Sequence, residues 1–125
     1  MQYLARDFEA LNAFRASLIV PSTLDSAGMA FAMIVEFKAA PGCADELRRE
    51  LLALVAPTRL EAGCTRYDLH VAEDEADHFV FYETWASREA HKAHDQSPHV
   101  NHFRTVKARL CAGEIRKLML LHVEP

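Results

Sequence analysis

Four stretches of the chain carry apolar side chains at a spacing of two, and the segments between them repeat at the spacing of a helix. In residues 30–38, Phe31, Met33, Val35 and Phe37 line one face of a predicted strand; Ala32, Ile34 and Glu36 line the other. Residues 64–72 put Tyr67, Leu69 and Val71 inward, with Arg66, Asp68 and His70 on the opposite face. Residues 78–85 have almost no polar relief. Phe79, Phe81, Glu83 and Trp85 share one face, and His78, Val80, Tyr82 and Thr84 share the other. A strand apolar on both faces is expected to be central and covered on both sides. Residues 114–123 form the last strand, with Ile115, Met119 and Leu121 facing one way and Leu118 and Leu120 the other.

The helical segments have equally plain signals. From Ala44, Leu47, Leu51, Leu54 and Val55 make a buried stripe, with Glu46, Arg48, Arg49 and Glu50 outside it. Pro57 predicts a kink or a restart, because proline removes a helical hydrogen bond and clashes with the preceding turn. Gly63 is the expected stop. Ser87 is a predicted N-cap, with Glu89 in the first turn. Ser97-Pro98 is a second start signal, followed by the stripe Val100, Phe103, Val106 and Leu110. Residues 73–77 read as a polar hairpin loop.

Residues 4–18 also read as an amphipathic helix, and residues 20–28 as a linker by composition. The expected organisation is an N-terminal helical extension and linker over 1–28, then one compact domain over 29–125. A helix this short is marginal alone. Its apolar face therefore needs a dock on this domain or on a second subunit, unless Met29 is the true start. The order strand, helix, strand, strand, helical pair, strand is the split β-α-β unit. The predicted class is α+β and ferredoxin-like: a four-stranded antiparallel sheet, strands one and three in the middle, with helices on one face. No element is left for the other face, which carries large apolar side chains. Dimerisation of the chain, sheet to sheet about a two-fold axis, is the simplest cover.

A formal charge of −4 and a pI near 5.9 argue against nucleic acid as a partner. The three cysteines, Cys43, Cys64 and Cys111, are odd in number and widely spaced. Reduced thiols in a cytoplasmic protein fit them better than a disulfide framework. No apolar run approaches membrane-spanning length, and Asp7 and Glu9 do not suit a secretory signal. A membrane partner is therefore not expected.

The chemistry concentrates in residues 78–102. Glu83 is a carboxylate between Phe81 and Trp85 on an apolar face, costly to bury unless partnered. It is either a structural group tied to an Arg or Lys, or a pocket residue whose proton affinity is set for work. His94 follows His91 by three, on neighbouring helical positions. His99 sits at a helix start, where the positive helix end favours a neutral imidazole, the form a general base requires. The pairs His91-x-x-His94 and His99-x-x-His102 have zinc-compatible spacing, yet no Cys joins them and no H-E-x-x-H occurs, so no metal site is expected. Phe79, Phe81 and Phe103 are core residues first. Arg59 and Glu61, near the helix stop, read as placed rather than merely solvated.

Three pieces, in this order and spacing, carry a resemblance: Arg59-Leu60-Glu61-Ala62-Gly63-Cys64 with Tyr67 following, Phe81-Tyr82-Glu83-Thr84-Trp85, and His94-Asp95-Gln96-Ser97-Pro98-His99. Together they make residues 29–124 resemble the antibiotic biosynthesis monooxygenase (ABM) domain, a group that includes quinol monooxygenase-like proteins and autoinducer-processing relatives. The resemblance implies a dimeric α/β barrel with a pocket in each subunit between sheet and helices. For the family's oxygenases it implies chemistry without metal, haem or flavin, hence no cofactor. An electron-rich quinol or polyphenol, once deprotonated, can itself pass an electron to oxygen. The protein supplies a dry pocket, a base and donors for the developing oxyanion. On this reading His94 and His99 are the base and donor, and Glu83 holds an imidazole in one tautomer. Trp85 and Tyr67 stack on a flat substrate, and Phe81, Phe103 and Arg59 complete the binding set. The first strand, AFAMIVEFK, lacks the Asn that haem-degrading relatives need. Two other classes stay open: an isomerase of a small carbonyl metabolite, and a non-catalytic dimeric module that binds a small molecule.

Overall fold

The computed structural model of the chain describes residues 29–123. The helix and linker expected over 1–28 lie outside the described residues. The first strand, β1 (Phe31–Lys38), leads into α1 (Ala44–Ala53) and the short α2 (Val55–Arg59). A hairpin of β2 (Cys64–Val71) and β3 (His78–Trp85) follows, then α3 (Arg88–Asp95), α4 (Pro98–Leu110) and β4 (Arg116–Leu120). The four strands form one sheet in the order β2-β3-β1-β4, antiparallel throughout. This is the expected α+β ferredoxin-like topology, with β1 and β3 at its centre.

The period-two pattern decides which side chains meet. Tyr67, Glu83, Met33 and Met119 stand in one row across the sheet, with Phe81, Val35 and Lys117 in the next. The helices lie over this face. Phe31, Met33, Val35, Phe37, Phe79, Phe81 and Trp85 from the sheet pack with Leu47, Leu51, Leu54, Phe103 and Leu110 from the helices. Leu47, Leu51 and Leu110 are fully buried. Each such side chain contributes roughly 2 kcal/mol of burial free energy.

Among the described residues no element covers the opposite face of β3, the strand expected to be covered on both sides. Its His78, Val80 and Tyr82 are half-buried, and Ile34 and Leu120 lie in the same open layer. Leu118 there is 57% exposed. Two further expectations shift at the edges. β4 is shorter than its apolar pattern, and Val71, read as inward, is 46% exposed at the end of edge strand β2.

Pro57 acts as its chemistry requires. Lacking an N–H, it cannot bond the Ala53 carbonyl, and the helix breaks at Leu54 to restart as α2. The helix then stops at Arg59, four residues before Gly63. Gly63 instead closes the turn into β2 with a positive φ of 83°. A Cβ there would stand 2.5 Å from the Ala90 Cβ, so this turn packs directly on α3. Ser87 and Ser97 cap α3 and α4 as expected, accepting from the Ala90 N–H at 3.1 Å and the Val100 N–H at 3.4 Å.

Candidate functional site

Between the sheet and helices α3 and α4 lies a cavity of about 540 Å³, large enough for a small aromatic molecule. Met33, Val35 and Phe37 of β1, Tyr67 of β2 and Phe81 of β3 form its sheet wall. Phe103 and Val100 of α4 face them. Glu83, His91, His94 and Asp95 interrupt this apolar lining. Arg104, Lys107, Glu114 and Lys117 line it further along.

Of the expected residues, the cavity gathers Glu83, His94, Tyr67, Phe81 and Phe103. Trp85, His99 and Arg59 are not on its walls. Trp85 is fully buried one layer behind. Its indole is spent on protein: the ring centroid lies 4.8 Å from that of His94 and 5.5 Å from that of His91. On the cavity wall the stacked pair is Tyr67 over Phe81, with ring centroids 4.4 Å apart. Arg59 runs along β2, donating from Nε to the Tyr67 carbonyl and from Nη2 to Asp68 Oδ1. It braces the strand from outside.

Glu83 is 3% exposed, and its partner is not the Arg or Lys expected for a buried carboxylate. Trp85 Nε1–H donates to its Oε1 at 2.9 Å. Because side chains two apart share a strand face, the sequence E-T-W puts the carboxyl and the indole on the same side of β3. One neutral donor does not offset the loss of water. Burial pushes the carboxyl up to about 7, against the smaller opposing pull of the Trp85 N–H. Glu83 can therefore hold or release a proton near neutrality. Burial also pushes the Tyr67 phenol upward, reinforced by the Glu83 charge, so Tyr67 keeps its proton. His91, edge-on to Phe31 and Trp85, is pulled downward by burial and stays neutral. Cys64, pushed up to about 12 by burial, is no thiolate nucleophile.

The imidazoles answer to a different carboxylate from the one expected. Glu61, in the turn between α2 and β2, places Oε2 at 2.7 Å from His94 Nδ1 and 2.9 Å from His99 Nε2. Glu83 does not hold either tautomer. Ser97 Oγ donates to the His94 carbonyl at 2.6 Å and lies 3.2 Å from His99 Nε2. His94 comes from the last turn of α3 and His99 from the first turn of α4. The capped Ser97-Pro98 start turns the chain so that both rings meet Glu61. Their donor atoms lie within 4.8 Å of one another, so Glu61, His94 and His99 could together hold a divalent ion. As hydrogen-bonded partners they also satisfy one another directly. The sequence reading considered pairs within each helix; the structure takes one histidine from each.

Comparison with known proteins agrees with this architecture. The profile of the antibiotic biosynthesis monooxygenase family matches residues 30–106. A Mycobacterium tuberculosis protein named "Putative monooxygenase Rv0793" is 38% identical over 89 residues, which is 71% of this chain and 87% of that protein. Its solved structure superposes with a TM-score of 0.72 at 31% identity, covering 77% of this chain and 97% of that one. The crystal structure of PA3566 from Pseudomonas aeruginosa superposes with a TM-score of 0.74 at 33% identity, covering 80% of this chain and all of that one (100%).

Proposed function

The chain belongs to the antibiotic biosynthesis monooxygenase family, and on that premise we propose that it is a cofactor-independent monooxygenase that oxidises a quinol-like or polyphenolic small molecule with molecular oxygen. The observation that carries this reading is the cavity itself. Its aromatic walls accept a flat ring, and an imidazole and a proton-holding carboxyl reach into it.

The chemistry balances with substrate and oxygen alone. His94 takes a phenolic proton, leaving an electron-rich quinolate. The quinolate passes one electron to oxygen, and the resulting pair joins at a ring carbon to form a C–O bond. Loss of water from the peroxide breaks the O–O bond, so a hydroquinone and one oxygen molecule become a hydroxyquinone and one water. Glu83, poised near neutrality, supplies the proton that leaves with the water. Tyr67, kept protonated, donates to the oxyanion that develops on the ring. The aromatic side chains of Phe37, Phe81 and Phe103 shield the intermediates from water on one side.

We further propose that two copies pair through the open sheet face. Ile34, Val80, Tyr82, Leu118 and Leu120 supply its apolar surface. Its acidic side chains have partners within the chain, Glu36 with His78 at 3.1 Å and Asp68 with Arg66 at 3.1 Å. A face whose charges are internally paired can be buried against its own copy at low electrostatic cost. Sedimentation at micromolar concentration is expected to return twice the chain mass of 14.1 kDa. Among the described residues, no helix is long and apolar enough to cross a membrane. The three free cysteines accord with a cytoplasmic protein.

Oxygen uptake with a panel of hydroquinones and catechols tests the catalytic reading. Turnover is expected in buffer containing a chelator. Binding without turnover, seen as a rise in melting temperature with the same compounds, would make the chain a binding module instead.

A further inference from the structure

We propose that Glu61 is the positioning residue of the site: it holds His94 with the proton on Nδ1, so that Nε2 is the base, while His99 serves as a brace for Glu61 rather than as a second base. This rests on the reading of His94 as the group that takes the substrate proton.

The hydrogen-bond geometry leaves little choice of tautomer. A carboxylate oxygen only accepts, and Glu61 Oε2 has two ring nitrogens against it, at 2.7 Å and 2.9 Å. Both nitrogens must therefore carry hydrogen. Ser97 fixes the second one independently. Its hydroxyl hydrogen is committed to the His94 carbonyl at 2.6 Å, so its 3.2 Å contact with His99 Nε2 is satisfied only if Nε2–H donates to it. His99 thus gives one N–H to both Ser97 and Glu61. In the neutral ring, His94 then gives its Nδ1–H to Glu61 and keeps the lone pair on Nε2.

The surroundings suit a fixed ring. His94 is buried, with the rings of Trp85 at 4.8 Å, Tyr67 at 5.4 Å and His99 at 6.0 Å. Glu61 is itself held by its backbone. Its N–H donates to the Thr58 carbonyl at 3.0 Å, and its carbonyl accepts from the Cys64 N–H at 3.2 Å. When His94 takes a proton, the positive charge forms 2.7 Å from a carboxylate already in place. That is a charge-assisted bond which strengthens as the reaction proceeds.

The decisive measurement is nitrogen NMR of the imidazole rings in the whole protein, which reads the tautomer without requiring turnover. In the wild type, His94 is expected to carry hydrogen on Nδ1 and His99 on Nε2. In Glu61→Gln, close to the native shape, His94 is expected to become a mixture of tautomers. Where a hydroquinone is turned over, kcat is expected to fall about a hundredfold with KM unchanged. His99→Ala is expected to lose less than tenfold. A wild-type His94 protonated on Nε2 would overturn the proposal. So would a Glu61→Gln variant with native tautomer and native kcat, or a His99→Ala variant as inactive as His94→Ala. If no quinol is oxidised at all, the catalytic reading fails while the NMR result still decides the positioning claim.

Discussion

Two glutamates sit within the same small site and have been given opposite environments. Glu61 lies in a turn where three elements meet, and its oxygen accepts from two imidazoles. Glu83 lies inside the sheet among aromatic rings, and its oxygen accepts from one indole. The first carboxylate is matched by donors. The second is under-supplied, so burial drives it toward its neutral form. One residue type thereby provides a fixed hydrogen-bond acceptor at one end and an exchangeable proton at the other. The strand and the turn make the difference, through the donors each can deliver.

The largest expected effect falls on the ring between them. His94→Ala is expected to reduce quinol-dependent oxygen uptake at least a hundredfold, with the fold retained by circular dichroism. Uptake near the wild-type rate would detach the matched end of the site from the chemistry.

Glu83 is expected to show itself in stability. Its carboxyl is raised in the folded state, so its unfavourable contribution is absent below the unfolded value near 4.5 and grows as pH rises through about 7. The wild type should therefore lose roughly 3 kcal/mol from this group between pH 4 and pH 9. Glu83→Gln, which keeps an oxygen for the Trp85 N–H, should lose that share of the pH dependence and be the more stable protein at pH 9. Urea denaturation across pH measures it. A Gln variant no more stable than wild type at pH 9 would mean that Glu83 is as well matched as Glu61.

Gly63→Ala perturbs the turn that carries Glu61. The left-handed backbone and the 2.5 Å approach to Ala90 predict a loss of about 2 kcal/mol. Because the Gly63 carbonyl accepts from the Ala86 N–H, next to the Trp85 that serves Glu83, the change is expected to reach Glu83 as well. The smallest effect is that of Arg59→Ala. Its ion pair with Asp68 is largely exposed, so a change under about 1 kcal/mol and an unaltered KM are expected. A raised KM would return Arg59 to the binding site.

The sheet was legible because its evidence is local. Alternation in 31–38 and 78–85 names the faces, and Pro57 and the two serine caps name the helix limits. The cavity was expected from the family resemblance, and helices α3 and α4 cover the sheet face that carries Glu83 and Phe81. What stayed hidden were pairings across elements. Glu83 faced Trp85 at a spacing of two, yet nothing in a strand pattern says that an indole rather than a guanidinium will serve it. Glu61 stood out only as a placed acid near a helix stop. Its meeting with His94 and His99, 33 and 38 positions away, depends on how the turn packs on α3. Gly63 was the available signal, as a glycine whose role was close approach rather than helix termination. Trp85 was misjudged because a large aromatic beside a pocket reads as a wall until its burial is known.

The measurement that bears most directly on the whole account is mass spectrometry of the products formed from a hydroquinone under isotopically labelled oxygen, in buffer containing a chelator. One labelled atom in the ring product, lost in His94→Ala, is the predicted result. A ring product without label, or equal labelling in wild type and His94→Ala, would contradict it.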